Sequence, residues 1–343
     1  MKKQKRHVNI PVFIPHLGCP NMCVFCNQRS ISGKMSFVPE SVISDIEAVL
    51  STVERDKTDI ELAFFGGSFT GIDRDLMIRL LEIGKSYLDS GKIDSMRCST
   101  RPDYIDSEIL SILEKYGMKT VELGIQSISD RVLCECKRGH TAAQTRVACE
   151  SVIAAGFELV GQMMIGLPGA DPESELETAK FICDIGASAA RVYPTVVFCG
   201  TELKDMCESR AYTPLTLDCA VERTKNVLDI FDRASVPVIR VGLCASENLA
   251  DAEQVYAGAN DAAIGEMAMS ALYLERIFIE LDKSDADFVG RQCIVYAAAG
   301  CVSKIVGHRR KNKLAILKKY GFKSLKIIEK SELIGYNIEI DIR

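Results

Sequence analysis

Ile60-Glu61-Leu62-Ala63-Phe64-Phe65-Gly66-Gly67-Ser68-Phe69-Thr70-Gly71 is the stretch that decides the fold. Its first six residues are nearly all apolar, as expected for a strand buried on both faces of a parallel sheet. The glycine-rich run that follows ends the strand. Upstream, Pro39 opens a helix through about Val53, in which Val42, Ile46, Val49, Leu50 and Val53 recur at steps of three and four and share one face. Before that, His7–Pro15 is rich in Val and Ile and reads as a strand.

The alternation continues downstream. Asp73 caps a helix that stops at Gly91, Met96–Thr100 is a strand, and the next helix ends at Gly117. Thr120–Ile125 is a strand, and Thr141-Ala142-Ala143-Gln144 is a capping box opening a helix that stops at Gly156. Leu159–Ile165 is a strand. Pro172 sits at a first helical position, and that helix ends at Gly186. Ala190–Phe198 reads as a sixth strand, followed by a helix over roughly 216–234 and a short last strand, Val236–Leu243. The fold class is therefore α/β, a partial (β/α)6 TIM-like barrel over residues 1–245 with a C-terminal α+β extension over 246–343. In that extension 246–287 reads as helical. Short strands (Leu325–Ile328 and Ile338–Ile342 among them) and a basic helix, Lys311–Lys319, follow.

The chemistry-bearing residues follow the carboxyl ends of strands, where α/β barrels build their active sites. The first such loop holds Cys19, Cys23 and Cys26, a C-x3-C-x2-C spacing with Phe25 before the third cysteine. Soft thiolates select zinc, copper(I) or an iron–sulfur cluster. Zinc needs a fourth ligand, which His16 could supply, and three merely buried cysteines are a further reading. A [4Fe–4S] cluster on three thiolates keeps one iron open. With Phe25 in place, the spacing resembles the cluster motif of the radical S-adenosylmethionine superfamily. The resemblance implies a [4Fe–4S] cluster on these three cysteines, with S-adenosyl-L-methionine chelated at the open iron. It implies reductive cleavage to a 5′-deoxyadenosyl radical, driven by an external donor of flavodoxin or ferredoxin type.

The other loops supply candidates for holding that cofactor. Gly66 and Gly67 bare the backbone beside a ligand's amino group, or serve only a tight turn. Ser68 stands where the superfamily usually carries Glu. Arg101 suits a bidentate carboxylate contact or, more plainly, an ion pair with Asp103. Gln126 and Ser127 suit ribose hydroxyls or equally satisfy backbone at a strand end, and Gly166 lets a ribose or adenine approach the fifth strand. Tyr193 is a candidate catalytic residue, by stacking, hydrogen bonding or radical relay, against the alternative of a core aromatic. His140 is a candidate for binding substrate or moving a proton, against helix capping beside Thr141.

Together GGSFT (Gly66–Thr70), TRPD (Thr100–Asp103), ELGIQS (Glu122–Ser127), RGHT (Arg138–Thr141), MMIGLP (Met163–Pro168) and YPT (Tyr193–Thr195) narrow the likeness. Over roughly residues 7–245 they resemble the radical domain of the Elongator complex protein 3 family. That family modifies the wobble uridine of transfer RNA and joins its radical domain to an acetyltransferase domain. Here about a hundred residues follow, with no evident glycine-rich acetyl-coenzyme A loop leading into a helix. The resemblance implies RNA or tRNA modification, by a stand-alone relative with another substrate or with a separate partner. Radical chemistry on a small molecule, as in enzymes resembling coproporphyrinogen oxidase, is the alternative. A non-enzymatic iron–sulfur or zinc protein is a third.

Composition sets the outer bounds. At 343 residues, 47% hydrophobic and 26% charged, the chain is an ordinary globular protein. No run of 18 apolar residues reads as a membrane span, and Pro11, Pro15 and His16 break the apolar stretch after the basic start. Fourteen cysteines without an export signal point to a reducing cytoplasm, most of them as small core residues. The net charge of −5 conceals segregation: residues 304–326 hold nine Lys or Arg and no Asp or Glu. That segment is either an RNA-facing surface or a solvated basic face.

Overall fold

In the computed structural model, which describes residues 5–14, 17–19, 23–27, 37–243, 254–284 and 286–343, the strand read at Ile60–Phe65 lies second in a curled sheet of seven parallel strands. Strand β1 (Arg6–Phe13) pairs along its whole length with β2 (Thr58–Phe65), with Ile10 opposite Leu62. β3 (Ser95–Thr100), β4 (Thr120–Gln126), β5 (Glu158–Ile165) and β6 (Ala189–Pro194) follow in sequence order. After a short excursion through β7 (Val196–Phe198), β8 (Val238–Val241) completes the sheet beside β6. Among the described residues β1 and β8 do not pair, so this is a half-barrel with two open edges.

Helices return the chain between strands: α1 (Val42–Leu50), α2 (Arg74–Asp89), α3 (Ser107–Lys115), α4 (Asp130–Glu135) with α5 (Ala142–Ala154), α6 (Pro172–Asp184), α7 (Glu202–Glu208) and α8 (Leu217–Arg233). Their starts are the ones the residues dictate. Asp73 accepts from Leu76 N at 3.0 Å, and Thr141 with Gln144 forms a complete capping box. The core between helices and sheet is aliphatic, with Ile10, Leu62, Leu123 and Ile165 from the strands against Leu80, Leu113 and Ile182 from the helices.

Two readings need correction. Ala190–Phe198 is two strands: Thr195 turns back, its N and Oγ1 both donating to the Ile165 carbonyl at 2.8 and 2.7 Å. Val196–Phe198 then leaves the main sheet and pairs antiparallel with β9 (Val255–Gly258), inside the stretch read as helical. Residues 246–253 of that stretch lie outside the described residues. Its helix is α9 (Ile264–Leu281), which lays Ala268 and Leu272 against Leu228 of α8.

The rest forms a second core. β10 (Gln292–Ala297) lies between β11 (Ser324–Glu329) and β12 (Ile338–Ile342), with α10 (Val302–Val306) and α11 (Lys311–Tyr320) alongside. Tyr273, Ile277, Val295, Ile305 and Ile316 meet in it. No helix among the described residues is long and apolar enough to cross a membrane.

Candidate active site

The carboxyl ends of the main-sheet strands open onto a cavity of about 510 Å³, and Cys19, Cys23 and Cys26 all line it. Two sets of backbone contacts place their loop. Val24 is a plug, 1% exposed, packed with Val132, Leu167 and Leu203. Its N donates to the Cys136 carbonyl at 3.2 Å, and Leu203 N donates back to the Val24 carbonyl at 2.8 Å. Cys26 N donates to the Cys23 carbonyl at 2.9 Å, a tight turn, and both residues line the cavity.

The glycine turn after β2 forms the other wall. A Cβ on Gly67 would stand 2.6 Å from the Leu17 carbonyl, and one on Gly71 would stand 2.5 Å from the Gly18 carbonyl. Gly66 has φ +104°, a conformation that favours glycine. Gly67 and Gly71 thus let the cysteine loop run against the turn, and Gly66 and Gly67 line the cavity.

Two arginines stand beside Cys23. Arg101 lines the cavity, but its Nε and Nη2 hold Asp103 at 2.9 and 2.7 Å and Nη2 also reaches the Arg138 carbonyl. The ion pair anticipated with Asp103 exists, with Arg101 buried and Asp103 reaching solvent. Arg138, 7% exposed, donates from Nη1 to Cys23 Sγ at 3.3 Å and from Nη2 to the Gly124 carbonyl at 2.6 Å. Its buried Nε has no hydrogen-bond partner among the described residues. Burial pushes the Cys19 thiol up, while Arg138 and Arg101 pull it the other way.

Gln126 lines the cavity from a bulge where β4 slips against β5, at φ 65°. A non-glycine residue held in that region is strained, which is common at functional sites. A reciprocal amide pair with Gln162, 2.9 Å each way, fixes its side chain. Tyr193 lines the same cavity, and its hydroxyl accepts from Arg191 Nη1 at 3.2 Å. Arg191 is anchored on Glu122 at 3.0 Å. Arg97 stands 3.7 Å from Glu122 and 2.9 Å from Glu61, which extends a buried charge chain across the floor. Phe25 lines the wall beside Cys26.

Four candidates stand behind the wall instead. Ser68 bonds Thr100 Oγ1 at 2.7 Å and receives Arg101 N at 3.3 Å, so it supports the Arg101 loop. Ser127 Oγ accepts from Ser129 N. Gly166 N donates to Glu175 at 2.6 Å, and Glu175 is itself clasped by Arg223 through both oxygens. His140 is buried, with Nδ1 3.1 Å from Thr145 Oγ1, and is absent from the cavity lining. Burial, and then the charge of Arg138, lowers its pKa to about 4. The helix cap beside it is made by Thr141 with Gln144.

Arg138, Glu122, Gln162 and Arg191 are the site residues that sequence reasoning passed over. The signal was present, because alternate residues of a strand share a face: Glu122 and Gln126 in β4 and Arg191 and Tyr193 in β6 point the same way.

Do these residues fit a cluster? The donors are right: three free thiols on one wall, with the Arg138 guanidinium donating to Cys23 Sγ. Among the described residues no three His, Cys, Asp or Glu side chains form a closed metal group, so the cysteines share a wall without converging on a point. The zinc alternative through His16 falls outside the described residues.

With this geometry, comparison with known proteins defines the class. Residues 13–182 match the Radical SAM superfamily and 187–275 the Radical_SAM C-terminal domain. The chain belongs to the radical SAM superfamily, whose cofactors are a [4Fe–4S] cluster and S-adenosylmethionine, and it is a radical SAM enzyme. It is 27% identical over 244 residues to a tRNA uridine(34) acetyltransferase of Methanocaldococcus jannaschii, covering 60% of this chain and 45% of that protein. It is 33% identical over 186 residues to Elongator complex protein 3 of Mus musculus, covering 46% of this chain and 33% of that one. The chain thus spans less than half the length of these relatives. The solved structure of archaeal Methanocaldococcus infernus Elp3 with an N-terminal deletion shares the fold, at TM-score 0.60 and 22% identity over 80% of this chain and 63% of that one.

Proposed function

We propose that the protein uses a [4Fe–4S] cluster on Cys19, Cys23 and Cys26 to modify a structured RNA, with transfer RNA as the substrate class. The observation that carries this reading is the single cavity shared by the three thiols, Arg138, Gln126 and Tyr193. When bound there, the cluster and S-adenosylmethionine supply a 5′-deoxyadenosyl radical by one-electron cleavage of the sulfonium.

The chain's own residues bind and orient. Gly67 keeps a side chain out of the space beside Cys19, and Gly66 lines the same cavity with bare backbone. Arg138, beside Cys23, joins Arg101 as a candidate for the cofactor's carboxylate, since Asp103 already holds the Arg101 fork. The Gln126–Gln162 pair presents amide donors and acceptors to hydroxyl groups. Phe25 and Val24 exclude water from the cysteine loop. Tyr193, held by Arg191 on Glu122, is the aromatic side chain that would meet substrate in the cavity. The reducing electron comes from an external flavodoxin- or ferredoxin-type donor.

An RNA substrate is supported by the names of the relatives and by a polar lining that includes Gln126, Gln162 and Arg240. A closed apolar pocket, which a small hydrophobic substrate would favour, is not what the open edges β1 and β8 provide. The test is mass spectrometry of tRNA nucleosides from cells lacking the gene and from cells complemented with Cys23→Ala. A nucleoside lost in both and restored by the wild-type gene supports the reading. Identical nucleoside profiles with an altered small metabolite would replace RNA with that metabolite.

A further inference from the structure

We infer that the carboxy-terminal module, from α10 through β11, is the docking surface for the sugar–phosphate backbone of that RNA; this rests on the RNA-directed reading above. The module lies beyond residue 275, where the match to the Radical_SAM C-terminal domain ends. Of the nine Lys and Arg in 304–326, Lys319 alone has a carboxylate within ion-pair distance among the described residues, Asp282 at 2.7 Å. Lys304, Arg309, Arg310, Lys311, Lys313, Lys318, Lys323 and Lys326 carry uncompensated charge.

The charge is displayed on a rigid frame. Asn312 is buried and donates to the Ser270 carbonyl and hydroxyl at 2.8 and 2.9 Å, pinning the start of α11 to α9. Arg309 and Arg310 occupy consecutive left-handed conformations, φ 50° and 63°, with Arg310 N tied to the Gly307 carbonyl at 2.9 Å. Both are exposed, as are Lys311 and Lys318. Lys323 and Lys326 extend the surface onto β11, an edge strand of the three-stranded sheet.

An acidic electron-transfer protein is the competing partner for such a surface. Six of the eight residues are lysines, a type depleted in protein–protein interfaces and frequent in phosphate contacts. The composition favours a polyphosphate backbone. Six to ten such contacts lose about 10³- to 10⁵-fold in affinity between 50 and 200 mM salt.

The experiment is filter binding of an unmodified tRNA transcript to the reconstituted protein at 50, 100 and 200 mM KCl. Wild type is compared with Arg309→Glu/Arg310→Glu/Lys311→Glu/Lys313→Glu. The expected result is a steep salt dependence for wild type and, for the variant, at least about tenfold weaker binding with a flatter slope. Iron content and RNA-independent 5′-deoxyadenosine formation stay at the wild-type level. Equal affinity and slope for both proteins, or no wild-type binding at 50 mM, overturns the inference. So does a variant that binds RNA normally but no longer accepts electrons from flavodoxin, since the surface would then belong to the donor. Absent 5′-deoxyadenosine in wild type would instead sink the enzymatic reading, a separable result.

Discussion

Arg138 Nη1 donates to Cys23 Sγ at 3.3 Å, so the middle cysteine of the loop is tied to the chain segment before α5 across 115 residues of sequence. The same guanidinium reaches the Gly124 carbonyl, where a Cβ on Gly124 would stand 2.8 Å from Nη2. Arg138→Gln removes a charged donor, and bonds to charged groups contribute about 1.5–3 kcal/mol, so the Kd for S-adenosylmethionine should rise roughly 10- to 100-fold. Iron content should stay at wild type. Equilibrium binding to the reconstituted protein reads this, and an unchanged Kd would place the carboxylate elsewhere.

Gly67→Ala puts a methyl group against the Leu17 carbonyl and near Cys19 Sγ. Overpacking of this kind costs about 1–3 kcal/mol, and here the element free to yield is the cysteine loop. Reconstituted iron per chain should fall well below wild type, while far-ultraviolet circular dichroism stays unchanged. Full iron loading would show that the close approach of turn and loop is dispensable.

Arg223→Ala strips Glu175 of its bidentate partner while it still holds Gly166 N. Leaving one member of a buried pair uncompensated costs about 3–5 kcal/mol. Burial already raises the Glu175 carboxyl above its ordinary range, so protonation relieves the unpaired charge. The stability deficit measured in urea should therefore be largest near neutral pH and shrink as pH falls toward the carboxylate range. A deficit that grows on acidification would contradict this.

His140 gives a second pH signature of known sign. Its folded value of about 4 lies below the ordinary 6.5, so the unfolded chain takes up the proton first as pH falls. The stabilisation is complete above about pH 6.5 and disappears toward pH 4, on the order of 3 kcal/mol. His140→Gln should flatten that part of the urea-derived stability curve relative to wild type. Parallel curves would mean that His140 is not held neutral by burial.

Much of this was legible in residue order, for identifiable reasons. Parallel strands buried on both faces are written as apolar runs such as Ile60–Phe65. Gly91, Gly117, Gly156 and Gly186 stop their helices at positive φ because few other residues accept that conformation. The break at Thr195 was signalled only by Pro194, the last residue of β6, and where the chain goes next depends on a tertiary bond to the Ile165 carbonyl. Val255–Gly258 becomes a strand only because Val196–Phe198 is there to pair with it. Within the site, the three cysteines and the glycine turn announce themselves by spacing. The contacts that occupy Arg101 and Arg138 do not. They come from Asp103, two residues from Arg101, and from the Gly124 carbonyl on β4.

The central claim is that Cys19, Cys23 and Cys26 jointly hold the redox centre that cleaves S-adenosylmethionine. The most direct measurement is anaerobic reconstitution with iron and sulfide, followed by dithionite and S-adenosylmethionine and chromatography of the products. The account predicts about four irons per chain and formation of 5′-deoxyadenosine and methionine, both lost in Cys23→Ala. Full cluster loading of wild type without either product, or product formation that survives Cys23→Ala, would contradict it.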